Sequence, residues 1–140
     1  MIATQRLTGL SGPISIQREI KQRDRPFAIF HIDICSFGEF NRKYGAEAGD
    51  EVLREITAVL LQTQAKVANG IFIGHVGGDD FVLVANLNDT DRVIATLQTL
   101  LHCLRQSRYM KSIEERPLEE LELAVKVLEI KAGSGSSLDW

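Results

Sequence analysis

Two apolar runs, Ile71–Val76 and Phe81–Ala85, are separated only by Gly77-Gly78-Asp79-Asp80. So short a break between two β-prone segments leaves one connection, a tight hairpin, because glycine supplies the positive φ that such turns need. A hairpin alone is marginal in water. The remaining chain must therefore give it neighbouring strands and a packed face. The same four residues set adjacent carboxylates at the tip of a turn that returns at once into a buried strand. Either Asp79 and Asp80 are simple turn residues, or the hairpin presents them to a cation.

The neighbouring segments are legible from their periods. Pro13–Gln22 has Ile14, Ile16 and Ile20 behind a proline suited to a helix start. Phe27–Ile34, FAIFHIDI, is a short apolar run that reads as a buried strand. Phe37, Phe40 and Tyr44 recur at helical spacing. Asp50–Gln64 carries an apolar stripe, Val52, Leu53, Ile56, Val59 and Leu60. A cap near Asp89 precedes a second long amphipathic helix, Val93–Leu104. Residues 105–120 are charged, contain Pro117, and read as a loop with a frayed helix end. Leu121, Leu123, Val125 and Val127 alternate as in a strand. A hairpin embedded between helices predicts an α+β or α/β domain with a mixed sheet, helices packed on it, and one core. The domain is expected over residues 1–132, with GSGSS opening a flexible tail at 133–140.

Composition narrows the class. A chain of 140 residues fits one domain, and 44% apolar with 25% charged residues is ordinary for a globular protein. A net charge of −3 offers no basic footprint for nucleic acid or an anionic membrane. No run approaches the length of a membrane span, and no signal-like segment opens the chain. Cys35 and Cys103 form no metal or disulfide framework, which suits a reducing, cytoplasmic setting.

Asp33 ends an otherwise hydrophobic strand, where a carboxylate needs a partner. If that strand neighbours the hairpin, Asp33 and Asp79 converge at one sheet edge. Carboxylates so close repel unless a cation such as Mg²⁺ joins them, together with substrate phosphates. The following CSFGEF segment leaves the strand for a helix, whose free N–H groups suit phosphate, with Gly38 admitting close approach. The competing reading keeps Asp33 as an N-cap and Asp79-Asp80 as turn residues.

Four blocks, LTGLSG at Leu7–Gly12, HIDICSFGEFNRKYG at His31–Gly45, AGDEVL at Ala48–Leu53 and HVGGDDF at His75–Phe81, resemble a GGDEF domain in order and spacing. These domains are the diguanylate cyclases, which condense two GTP molecules into cyclic di-GMP. The resemblance implies a palm-like nucleotide cyclase fold, with a largely antiparallel sheet of about five strands flanked by helices. It assigns Asp33, the backbone carbonyl of Ile34 and Asp79 to Mg²⁺ or Mn²⁺. It gives Asp79 and Asp80 the catalytic positions, Asp80 standing where glutamate is usual. It gives guanine recognition to Asn41 and Asp50, phosphate contact to the backbone of Ser36, Phe37 and Gly38, and the signature turn to Gly77 and Gly78. An amide and a carboxylate suit the guanine edge; Asp50 is equally placed to cap the long helix. Catalysis would need a homodimer, each site holding one GTP.

Departures from the family pattern are specific. Cys35 stands for a second aspartate, Gly38 for a lysine or similar residue, and His75 for an arginine. Asp80 is shorter than glutamate by about 1.5 Å on ordinary bond lengths. The C-terminal region passes through Lys126 and Lys131 with no basic helix matching the family's, and Ala68–Ile71 lacks the Arg-x-x-Asp of the inhibitory product site. The expectation is a cyclase of low activity. The alternative is a degenerate GTP-binding module that regulates an attached EAL phosphodiesterase domain. The variant motifs resemble GGDEF domains that follow EAL and CBS domains, so the chain is expected to be a piece of a larger protein. A scaffold without nucleotide is a third reading. Zinc on His31, Asp33, Cys35 and His75 is a further arrangement, although its spacings are not those of structural zinc sites.

Overall fold

The computed structural model of the chain describes residues 7–67, 70–107 and 122–130. Helix α1, Pro13–Gln22, starts with proline in its first turn and buries Ile16 and Ile20, one turn apart. Strand β1, Phe27–Ile34, is followed by α2, Phe37–Tyr44, and α3, Ala46–Lys66. The hairpin comprises β2, Phe72–Gly77, and β3, Asp80–Asn86. A short 3₁₀ turn, Leu87–Asp89, leads into α4, Thr90–Ser107, and β4, Leu123–Ile130, is the last element.

The sheet order is β2-β3-β1-β4, and every neighbouring pair is antiparallel. A parallel bridge, Ser11 to Gly74, extends pairing beyond the hairpin edge. The described residues thus supply four of the about five strands expected for a domain of this class. Strand β1 lies between β3 and β4 because it is apolar on both faces. Its even-numbered residues, with Phe81, Leu83 and Ala85 of β3, pack under α3 and α4. Phe27 and Ile29, with Val82 and Val84, pack under Ile16 and Ile20 of α1. Phe30 and Phe81 are fully buried, and removing such a side chain from water is worth roughly 1.5–3 kcal/mol.

Three local expectations change. Helix α3 begins at Ala46 rather than Asp50, so Asp50 is an exposed residue within the helix and not its N-cap. Gly45, at φ 94°, breaks the chain after α2, and the helix-favouring Ala46-Glu47-Ala48 extends α3 backwards. Asp33 lies within β1, and the residue preceding α2 is Ser36, so the N-cap reading of Asp33 also falls. Helix α4 continues to Ser107, past the frayed end expected near 105. The strand expected from the alternation at Leu123, Val125 and Val127 forms, but Val125 and Val127 remain 40% and 39% exposed because β4 is an edge strand. Leu121, the rest of the 108–121 stretch and the 133–140 tail lie outside the described residues.

Candidate metal and nucleotide site

Strand register builds the site. Asp33 of β1 and Asp80 of β3 are direct partners across the antiparallel ladder, so their side chains leave the same face. It is the face that α1 covers further along, at Phe27 and Ile29. At the Asp33 end both carboxylates are only half-buried. The turn then adds Asp79. Gly77 pairs with Asp80, leaving Gly78-Asp79 as a two-residue connection. Gly78 adopts φ 52°, a left-handed conformation that favours glycine at the first central position. A register shift between His75 and Gly77 places one extra residue, Val76, in β2; such a bulge re-aims the strand end. One carboxylate oxygen from each of Asp33, Asp79 and Asp80 lies within 4.8 Å of the others.

Electrostatics follow from this crowding. Burial pushes the Asp79 carboxyl above the ordinary value of 3.8. A hydrogen bond with Asp33 adds to the rise, a backbone hydrogen bond opposes it, and repulsion from Asp33 and Asp80 adds further. Burial also raises Asp80, with repulsion from Asp33, while His31 and His75 pull it back. His31 Nε2 stands 3.6 Å from Asp80 Oδ1. Lys126 of β4 is the direct partner of His31, which sets a cation on the acidic face beside Asp33.

The donor set suits a hard divalent cation. Three carboxylates offer oxygen only, in a shallow, half-exposed position that leaves coordination open to water or phosphate, as Mg²⁺ and Mn²⁺ prefer. The zinc arrangement does not assemble. His75 shares a face with Phe81, whereas His31 shares the opposite face with Val82, and among the described residues only the three aspartates form a cluster fit for a metal.

Ile34 closes β1 directly after Asp33. The chain turns through Ser36, at φ 56°, an uncommon conformation for a non-glycine residue. Helix α2 then starts at Phe37, with Phe40 N–H donating to Ser36 O as the first turn. The N–H groups before Phe40 are those that a helix start leaves without an intrahelical acceptor. Ser36 and Gly38 are exposed and Phe37 half-buried. Among the described residues, a methyl group on Gly38 would meet only the Arg42 guanidinium, at 3.7 Å. Arg42 therefore folds back one helical turn towards Gly38. Sequence reading missed it; the i, i+4 spacing was the available signal.

Asn41 and Asp50 come from consecutive helices. Asn41 Oδ1 is buried and has no hydrogen-bond partner among the described residues. It rests on Gly49, where an added Cβ would lie 1.8 Å from it. Glycine thus makes room for the Asn41 amide next to exposed Asp50. An orphaned buried acceptor is costly without a partner, and a ligand donor would satisfy it.

Known proteins show the same architecture. The chain is 29% identical over 93 residues to the diguanylate cyclase DosC of Escherichia coli K12, covering 62% of this chain and 20% of that protein. It is 31% identical over 88 residues to a diguanylate cyclase of Vibrio cholerae, covering 63% and 24%. The chain thus spans about a fifth of the length of the first of these curated relatives. The GGDEF domain of DgcB from Caulobacter crescentus, solved in complex with c-di-GMP, superposes with TM-score 0.74 at 22% identity, covering 93% of this chain and 80% of that one. The FimX GGDEF domain of Pseudomonas aeruginosa gives 0.72 at 13%, covering 94% and 82%. The family model described as diguanylate cyclase, GGDEF domain, matches residues 8–121, and the chain therefore belongs to the GGDEF diguanylate cyclase family of cyclic di-GMP signalling.

Proposed function

We propose that this domain binds GTP with a divalent cation and converts it to cyclic di-GMP slowly, as one half of a homodimer. The observation that carries the reading is the convergence of Asp33, Asp79 and Asp80 at one sheet edge, beside a helix start open to phosphate. Asp33, Asp79 and the Ile34 carbonyl would hold Mg²⁺ or Mn²⁺. When bound, the cation neutralises the clustered charge and supplies Lewis-acid stabilisation of a reacting phosphate. Asn41 would engage the guanine edge through its orphaned oxygen, with Asp50 accepting from the guanine N–H groups. The backbone N–H groups of Ser36, Phe37 and Gly38 would receive phosphate oxygens, with Arg42 adding a positive charge. Asp80 takes the place of the catalytic glutamate. Two facing copies would bring each 3′-hydroxyl to the other α-phosphate, so proximity is supplied by dimerisation.

Low turnover follows from thin phosphate handling. Gly38 carries no cation, His75 is buried, and Asp80 is a methylene short. Displacing a reacting group by about 1 Å costs on the order of 100-fold in rate. These features also favour a second reading, in which the domain binds GTP without converting it and regulates an attached EAL phosphodiesterase domain.

The deciding experiment incubates the protein, both as this chain and in the longest form in which it is expressed, with GTP and Mg²⁺ or Mn²⁺. Binding is followed by calorimetry and products by chromatography. Cyclic di-GMP supports the cyclase. Binding without product supports the regulatory module, and no binding in either form overturns both.

A further inference from the structure

His75 is 5% exposed and lies one strand away from the acidic cluster. Its ring stacks on Phe81, with centroids 4.6 Å apart and planes 12° from parallel. Both ring nitrogens have polar contacts. Nε2 lies 2.8 Å from the carbonyl oxygen of Gly78. A carbonyl can only accept, so the imidazole carries a proton on Nε2 and donates it. Nδ1 lies 3.2 Å from Thr8 Oγ1, and that hydroxyl oxygen receives the Leu10 N–H at 3.3 Å. The same hydroxyl pairs with Nδ1, accepting its proton from a charged ring or donating to a neutral one. A continuous chain results: Leu10 N–H to Thr8 Oγ1, Thr8 Oγ1 to His75 Nδ1, and His75 Nε2–H to Gly78 O. The backbone reinforces it, because His75 N–H donates to Ser11 O at 2.8 Å and Ser11 bridges Gly74.

The two ends of this chain have different roles. Gly78 is the left-handed residue of the turn and is directly bonded to Asp79. Its carbonyl belongs to the peptide unit whose N–H is that of Asp79, so the orientation of one fixes the other. Thr8 lies in the Leu7–Gly12 segment, ahead of α1. A buried ring held by stacking and hydrogen-bonded on both sides transmits displacement without slack.

We propose that His75 is a positioning residue that couples the Leu7–Gly12 segment to the Gly78-Asp79 turn, so that the place of this segment sets how well Asp79 joins Asp33 and Asp80 around a cation. The coupling rests on the metal reading given above. It makes the turn responsive to whatever moves the Leu7–Gly12 segment.

The test uses the 140-residue chain and Mn²⁺ alone, with affinity read from the electron paramagnetic resonance of unbound ion and the turn followed by the amide signals of Gly78 and Asp79. Thr8→Val removes the remote hydroxyl and leaves the turn's composition intact. It is expected to shift both amides and weaken Mn²⁺ binding. His75→Phe keeps a flat ring on Phe81 but loses both side-chain hydrogen bonds, and is expected to weaken Mn²⁺ binding by about 10–100-fold, the range for lost partners of metal ligands. His75→Gln, whose amide can donate to Gly78 O, is expected to recover most of that loss. Unchanged affinity together with unmoved amides in Thr8→Val overturns the coupling, even if His75→Phe fails to fold. If the wild-type chain binds no Mn²⁺, the metal reading fails separately. The amide signals then decide the coupling alone, moved for it and unmoved against it.

Discussion

Asp33 and Asp80 are direct partners across the β1–β3 ladder, a pairing of like charges that a sheet does not adopt for stability. Asp79 lies at the same edge. The fold thus concentrates negative charge where its own electrostatics oppose it, and gains an oxygen-rich site for a cation.

The first consequence is an opposition between stability and binding. Asp79→Asn and Asp33→Ala are expected to raise the melting temperature of the metal-free protein, because each relieves part of the crowding, burial first and repulsion after it, that raises Asp79 and Asp80. The same variants are expected to lose the stabilisation that Mn²⁺ gives the wild type. Calorimetric melts with and without Mn²⁺ check this; an undiminished metal-induced shift in both would remove these residues from the site.

The pH dependence has a definite sign. A carboxyl raised in the fold binds its proton more tightly there than in the unfolded chain. The contribution of Asp79 and Asp80 to stability is therefore favourable below the ordinary 3.8 and is lost as pH rises through their elevated values. Metal binding runs the other way, since ligands must be deprotonated. Stabilisation by Mn²⁺ should grow as pH rises from that region towards neutrality. Melts across the range should show it, and an equal metal effect at every pH contradicts the ligand assignment.

Gly49 separates space from chemistry at the guanine position. Alanine favours a helix interior over glycine by about 1 kcal/mol, yet its Cβ would occupy the place of Asn41 Oδ1. The amide would have to swing away. Gly49→Ala is expected to keep or raise stability while reducing the preference for GTP over ATP, as Asn41→Ala should. Competition binding of the two nucleotides measures it; an unaltered preference in both variants removes Asn41 from recognition.

Arg42 and Gly38 test the phosphate side. Arg42→Ala should weaken GTP more than guanosine, and the loss should shrink at high salt, as expected of an exposed charge. Gly38→Lys supplies a cation at the position where the resemblance expects one, in space where, among the described residues, only Arg42 comes close. It should raise GTP affinity, and product formation if the site is a cyclase. Titrations at low and high salt check both, and equal losses for GTP and guanosine in Arg42→Ala would place that side chain away from phosphate.

Much of this protein is written locally. The limits of α1, β1 and α2 follow from Pro13, the apolar run ending at Ile34, and the Phe37-Phe40-Tyr44 spacing, because period and punctuation act over a few residues. The Gly77–Asp80 turn is equally local. Boundaries decided by competition were less legible: α3 starts at Ala46 because Gly45 breaks the chain earlier than the apolar stripe suggests. Only the tertiary structure settled what meets what. That Asp33 stands opposite Asp80 depends on the register between strands far apart in the chain, where a shift of one residue would turn the carboxylate into the core. The space that Gly49 leaves for Asn41 and the linkage of Thr8 through His75 to Gly78 arise from packing between separate elements. A sequence specifies such contacts only through the whole fold, since no residue's neighbours along the chain carry the information.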